Sequence, residues 1–214
     1  MKALVSAEIE AYATAHSTEE SRVCRQLRAE TFRQMDSPQM LVGPLEGAFL
    51  KMVTRLVGAR HVLEIGMFTG YSALCFAESV PEDGTVTTCE IDDTSAAVAR
   101  RYFAMSPHGR KITIRMGRAI ESMRTLERTY DVIFIDADKQ NYLQYYRRAK
   151  QLLAPAGVIL IDNVLWDGDV LLQPPPDERT AAIQELNRTV ASDPDVSAVL
   201  VTIRDGVFMI RRKG

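Results

Sequence analysis

Cysteine is scarce. Cys24, Cys75 and Cys89 are the three in 214 residues, too few and too scattered for a disulfide framework or a CxxC zinc site. Reduced thiols in a cytoplasmic protein are the expectation. Histidine is equally rare, and His16, His61 and His108 include no ligand-spaced pair such as HExxH. An excess of basic charge is missing as well. Lys and Arg number 26 against 28 Asp and Glu, a net charge of −2, so no general attraction to nucleic acid or an anionic membrane is expected. No apolar run approaches the roughly 18 residues that span a bilayer. The N-terminal stretch from Met1 reaches Glu8 and Glu10 before a secretory apolar core can form. Twelve glycines are present, but none in the GxGxxG spacing of a pyrophosphate-binding turn.

What remains is ordinary globular material, 46% hydrophobic and 25% charged. The length suits one large domain, residues 1–214. From about residue 60, short apolar runs alternate with longer amphipathic ones. Val62 to Ile65, Thr85 to Glu90, Lys111 to Met116, Val132 to Ile135 and Val158 to Ile161 read as strands. Tyr71 to Val80 and Ser95 to Met105 read as helices, the second capped by Asp92 or Asp93. Strands alternating with helices predict a parallel sheet covered on both sides. Val196 to Ile203, the turn Arg204-Asp205-Gly206 and Val207 to Ile210 read instead as an antiparallel hairpin. The first 58 residues, including Pro44 to Val57, read as a helical extension with no linker behind it.

In such sheets, ligands bind beyond the carboxyl ends of the strands. Glu64-Ile65-Gly66-Met67-Phe68-Thr69-Gly70-Tyr71-Ser72 gives the first strand end a glycine turn, through which backbone can approach a ligand. Glu90 ends the next strand, and a carboxylate there can accept hydrogen bonds from both hydroxyls of a ribose. Together they indicate a nucleoside-containing ligand, NAD or S-adenosylmethionine. Two further strands end in charge: Asp136 after Val132–Ile135, and Asp162-Asn163 after Val158–Ile161. Neighbouring parallel strands would bring both carboxylates to one edge, where they repel. A divalent cation removes the conflict, and two Asp with an Asn carbonyl suit Mg²⁺. Asp162 and Asn163 can share an ion only if the chain leaves the strand there. Lys139, three residues after Asp136, is placed to act as a general base, since a cation beside a lysine favours its neutral form. The bland alternative is a salt bridge between Asp136 and Lys139. Trp166 follows in a long segment reaching Pro176 and can cover a planar substrate.

These residues in this order resemble the cation-dependent O-methyltransferases, the catechol and caffeoyl-CoA O-methyltransferases with their small bacterial relatives. The resemblance runs from about Met40 to the C-terminus. It rests on LEIGMFTGYS (63–72), Glu90-Ile91-Asp92, GRA (117–119), DVIFIDADKQNY (131–142) and GVILIDNVLWDG (157–168). It implies a Rossmann-like class I methyltransferase fold with a mostly parallel seven-stranded sheet. It further implies that Val42, Glu64, Gly66, Phe68, Tyr71, Ser72 and Asp136 surround S-adenosylmethionine. Glu90 would hold the ribose, and Ile91 and Ala119 would border the adenine. Asp136, Asp162 and Asn163 would bind Mg²⁺ and Lys139 would be the base. Met40, Lys139, Asn163 and Trp166 would face the substrate, a small catechol. Met40 to Gly47 matches the family's N-terminal stretch, except that Gly43 replaces a hydroxyl residue. A homodimer is implied too. Three alternatives stand beside a catechol O-methyltransferase: methylation of hydroxylated uridine in tRNA, as some bacterial relatives perform; a nicotinamide-dependent oxidoreductase, disfavoured by the missing glycine pattern; and a non-catalytic nucleoside-binding module.

Overall fold

The computed structural model describes residues 5–214. Met1 to Leu4, the start of the stretch read above for a secretory core, lie outside the described residues. The chain enters through α1 (Ala7–Ala15), which buries none of its side chains, then α2 (Arg22–Gln34) and α3 (Pro44–Leu56). Strands and helices then alternate: β1 (His61–Ile65), α4 (Tyr71–Ala77), β2 (Thr85–Glu90), α5 (Asp93–Met105), β3 (Ile112–Met116), α6 (Ala119–Arg124), β4 (Tyr130–Ile135), α7 (Tyr142–Leu152) and β5 (Leu153–Ile161). After α8 (Glu178–Ser192), β6 (Val196–Val201) and β7 (Val207–Arg212) close the sheet.

The order across the sheet is β3-β2-β1-β4-β5-β7-β6. The first five strands are parallel, while β7 runs antiparallel to both β5 and β6. This is the seven-stranded arrangement, with its C-terminal hairpin, that the sequence predicted. The central strands are continuous apolar runs because both faces are covered. Val62, Val132, Phe134, Val158 and Leu160 pack under α2 to α5, and Leu63, Ile65, Ile133, Ile135, Ile159 and Ile161 pack under α6 to α8. Asp92 caps α5 as predicted, accepting a hydrogen bond from the Ser95 N–H at 2.7 Å.

Several boundaries shift by one or two residues, and two shift by more. β5 begins at Leu153 rather than Val158, through a register irregularity opposite Tyr130 and Val132. Pro155 and Gly157 obscured it, since both are poor strand residues. The helix expected over 71–80 stops at Ala77 and gives way to a turn before Pro81. The chain runs outward from β1 to β2 and β3, then crosses back to β4 on β1's other side. That reversal opens a crevice at the carboxyl ends of β1 and β4.

Candidate active site

A cavity of about 960 Å³ lies at this crevice, large enough for a cofactor and a small second molecule. Its floor is made by the residues that follow the parallel strands: Gly66 after β1, Glu90 at the end of β2, Asp136 after β4 and Asp162 after β5. Gly66 has φ of 95°, and a Cβ there would stand 1.9 Å from the Asp136 carbonyl oxygen. Only glycine lets these two chain segments meet so closely. The remaining wall comes from residues 35–42, between α2 and α3.

Every residue singled out from the sequence borders this cavity except one. On one side lie Phe68, Tyr71 and Ser72 with Ile91 and Ala119; on the other, Lys139, Asn163 and Trp166; Met40 and Val42 belong to the 35–42 wall. Glu64 is the exception. It alternates along β1 with Leu63 and Ile65, so its side chain enters the layer beneath α2 to α5, wholly buried. There one carboxylate oxygen accepts a hydrogen bond from the Thr88 hydroxyl, while Oε1 has no partner. Burial pushes Glu64 up to about 8, against the opposing pull of the nearby Ser72 and Thr88 hydroxyls.

Glu90 is held rigidly. Its Oε2 accepts from the Phe68 N–H at 2.7 Å, and its Oε1 from the Ile91 and Asp92 N–H groups at 2.8 Å. The carboxylate thereby fixes the glycine turn to the end of β2, and Oε2, which accepts one N–H, keeps a further lone pair for a ligand hydroxyl. Tyr71 borders the cavity with its ring, but its hydroxyl donates to Glu20 Oε2 at 2.9 Å in the N-terminal extension. A second tie from that extension is the buried contact of the Thr31 and Thr69 hydroxyls at 2.9 Å.

At the other end, Asp136 and Asp162 follow residues that are direct partners in the sheet, Ile135 and Ile161. β5 ends at Ile161, and Asn163 has φ of 58°, so the chain leaves the strand there, as sharing an ion requires. The Lys139 ammonium donates to Asp136 Oδ1 at 3.1 Å and to Asn163 Oδ1 at 2.7 Å, and also to the Tyr142 hydroxyl. The Asp136–Lys139 salt bridge is therefore present, but it is part of a larger convergence: oxygens from two strand ends meet one positive charge. Burial raises Asp162 to about 7, and the Asp136 charge beside it pushes the same way, with Lys139 and Arg204 opposing. Such a carboxylate is stabilised in its ionised form by more positive charge than Lys139 provides. Two carboxylates and an amide oxygen form a hard-donor set that fits Mg²⁺. Among the described residues no three His, Cys, Asp or Glu side chains gather as a metal cluster, so an ion here depends on the Asn oxygen and on water or substrate. Trp166 lies with its ring centroid 5.7 Å from Lys139 Nζ, at φ of 49°.

Some of the site was not foreseen. Tyr142 carries no evident role in the DKQNY stretch, yet its fully buried hydroxyl meets Lys139. Its i+3 spacing from Lys139 at the start of a helix was the available signal. Arg204 and Asp205 read as hairpin-turn residues but also line the cavity, and nothing in their local sequence marks this.

Comparison with known proteins identifies the family. The family model described as O-methyltransferase matches residues 14–213. The chain is 33% identical over 203 residues to catechol O-methyltransferase domain-containing protein 1 of Mus musculus, covering 92% of this chain and 77% of that one. It is 34% identical over 179 residues to caffeoyl-CoA O-methyltransferase 5 of Nicotiana tabacum, covering 78% and 75%. In fold it is similar to the O-methyltransferase TomG of Streptomyces achromogenes, involved in tomaymycin synthesis and solved in complex with SAM. The TM-score there is 0.89 at 27% identity, over 97% of this chain and 96% of that one. The chain belongs to the cation-dependent O-methyltransferase family.

Proposed function

We propose that this methyltransferase moves the methyl group of S-adenosylmethionine to one hydroxyl of a catechol-type small molecule, with Mg²⁺ or another divalent cation held by Asp136, Asp162 and Asn163. The observation that carries this is the meeting of Asp136 and Asn163 oxygens on one cationic nitrogen, with the buried Asp162 carboxyl at the end of the neighbouring strand. A bound cation would supply Lewis acidity, lowering the pKa of a diol hydroxyl.

The protein's own groups would do the rest. The Gly66–Ser72 turn and Glu90 would hold the sulfonium donor, Glu90 through the ribose hydroxyls and Ile91 and Ala119 beside the adenine. Lys139 Nζ would receive the hydroxyl proton, with the Tyr142 hydroxyl fixing its position from behind. The substrate oxygen then bonds to the methyl carbon as the carbon–sulfur bond breaks, a step that neutralises opposite charges. Alignment is therefore the main requirement, and well-oriented reactants gain up to roughly 7–11 kcal/mol. Trp166 and Met40 would cover the ring and keep water from it.

The near-neutral net charge supports a small-molecule substrate over tRNA. Three free, buried cysteines support a reducing, cytoplasmic setting, and family likeness supports a homodimer. The test is a panel of simple catechols, caffeoyl derivatives and bulk tRNA, each assayed with labelled S-adenosylmethionine and Mg²⁺. Label in a catechol or caffeoyl product is expected. Label in tRNA alone would replace the substrate class, and label in none would refute the proposal.

A further inference from the structure

Arg204 stands in the turn between β6 and β7 with φ of 47°. Residues other than glycine, asparagine and aspartate rarely adopt that conformation, and such an outlier invites a functional explanation. Its guanidinium supplies one. Arg204 Nη1 donates to the Leu41 carbonyl at 3.1 Å, to the Val42 carbonyl, and to Glu46 Oε2 at 3.1 Å. Glu46 is wholly buried in the first turn of α3, and its other oxygen has no partner, so among the described residues Arg204 is its one ionic contact. The segment so gripped sits on the cofactor turn: a Cβ on Gly47 would stand 2.9 Å from the Tyr71 ring, at the start of α4.

The two residues after Arg204 grip the opposite wall. The Leu165 N–H donates to the Asp205 carbonyl at 2.9 Å, and the Val164 N–H to the Gly206 carbonyl at 3.1 Å. The Asp167 N–H donates to Asp205 Oδ1 at 2.7 Å. Gly206, at φ of 84°, lies so close to Leu165 that a Cβ would be 2.5 Å from its Cγ. One three-residue turn thus fastens the Leu41–Val42 wall on one side and the loop carrying Asn163 and Trp166 on the other.

We propose that Arg204 is a positioning residue for the methyl donor: by clamping the Leu41 and Val42 carbonyls it holds that wall against the cofactor half of the cavity and so sets cofactor affinity. This rests on the cofactor assignment in the proposed function. Arg204 touches no reacting atom, and because its charge also favours the ionised Asp162 carboxyl, cofactor affinity is read without cation.

Arg204→Gly is the informative substitution, because glycine accepts the left-handed backbone, so the clamp is lost without added backbone strain. It leaves Glu46 buried without its partner, so Arg204→Gly/Glu46→Gln is made beside it to remove the stranded charge. Calorimetry with S-adenosylhomocysteine, without cation or diol, reads the affinity, and thermal unfolding reports folding. Expected for the double variant are a Kd raised about tenfold, the scale of a lost charged hydrogen-bond set, and a KM for S-adenosylmethionine raised to match. Turnover at saturating cofactor and saturating cation stays within about threefold of wild type, the signature of lost uniform binding. Arg204→Lys is expected to recover part of the affinity. A folded double variant that binds S-adenosylhomocysteine as wild type does, or that loses turnover with Kd unchanged, overturns the inference. Failure of wild type itself to bind would instead overturn the cofactor assignment beneath it.

Discussion

Lys139→Met removes the proposed base while keeping most of the side chain's volume. In the structure the ammonium contacts Asp136, Asn163 and Tyr142 and is nearly buried, its side chain 10% exposed. Little water reaches that position to substitute for it. Losing a general base costs about 10²- to 10⁴-fold. A bound cation already lowers the hydroxyl's pKa, so the lower end applies: turnover about 10²-fold down, close to 2.7 kcal/mol at 1.36 kcal/mol per tenfold. Cation affinity moves the other way. Two unit charges about 4 Å apart interact by about 4 kcal/mol at an effective dielectric of 20, so removing the ammonium relieves competition for the same oxygens. Turnover is measured at saturating S-adenosylmethionine, catechol and Mg²⁺, and cation affinity by Mn²⁺ titration followed by electron paramagnetic resonance. A variant within threefold of wild-type turnover would refute the base. A variant with weakened Mn²⁺ binding would refute the view that Lys139 and the cation compete for one set of oxygens.

Glu64→Gln tests the buried carboxyl of β1. The unfolded chain ionises this group near 4.5, whereas the folded one keeps its proton up to about 8. Stability therefore falls as pH rises through that interval, by at most about 1.36 kcal/mol per pH unit. The variant is expected to unfold at higher temperature than wild type at pH 8 and to lose that advantage near pH 4.5; an advantage independent of pH would contradict the assignment. Gly66→Ala places a methyl against the Asp136 carbonyl in a left-handed backbone position, so a loss of at least about 2 kcal/mol in urea unfolding is expected. Trp166→Ala is expected to raise KM for the catechol about tenfold with turnover within threefold, as for a group that binds ground and transition states alike; steady-state kinetics decides.

The sheet was legible because burial on both faces leaves a plain mark. Val132–Ile135 and Val158–Ile161 are continuous apolar runs, and a charged residue directly after each marks where the strand reaches the crevice. The strand ends named the site for the same reason, since a parallel sheet delivers all its carboxyl ends to one edge. Side-chain direction was less legible. Glu64 lies in the most recognisable motif of the chain, yet strand parity turns it into the helical layer beside Thr88 rather than into the cavity. Arg204 was invisible as a site residue because its part depends on contacts with Leu41, Val42 and Glu46, about 160 positions earlier, made from a backbone conformation that its residue type does not advertise. The helices of the N-terminal extension are likewise tied to the cofactor turn by single long-range bonds, among them Tyr71 to Glu20 and Thr31 to Thr69. No periodicity encodes such pairs.

The most direct measurement is anomalous scattering from crystals grown with S-adenosylhomocysteine and soaked in Mn²⁺. A single strong peak within about 2.5 Å of an oxygen from each of Asp136, Asp162 and Asn163 is expected, with the Lys139 ammonium displaced from between them. A cofactor-filled crystal with no peak at these oxygens, or with its peak elsewhere, would contradict a cation-assisted methyl transfer at this site.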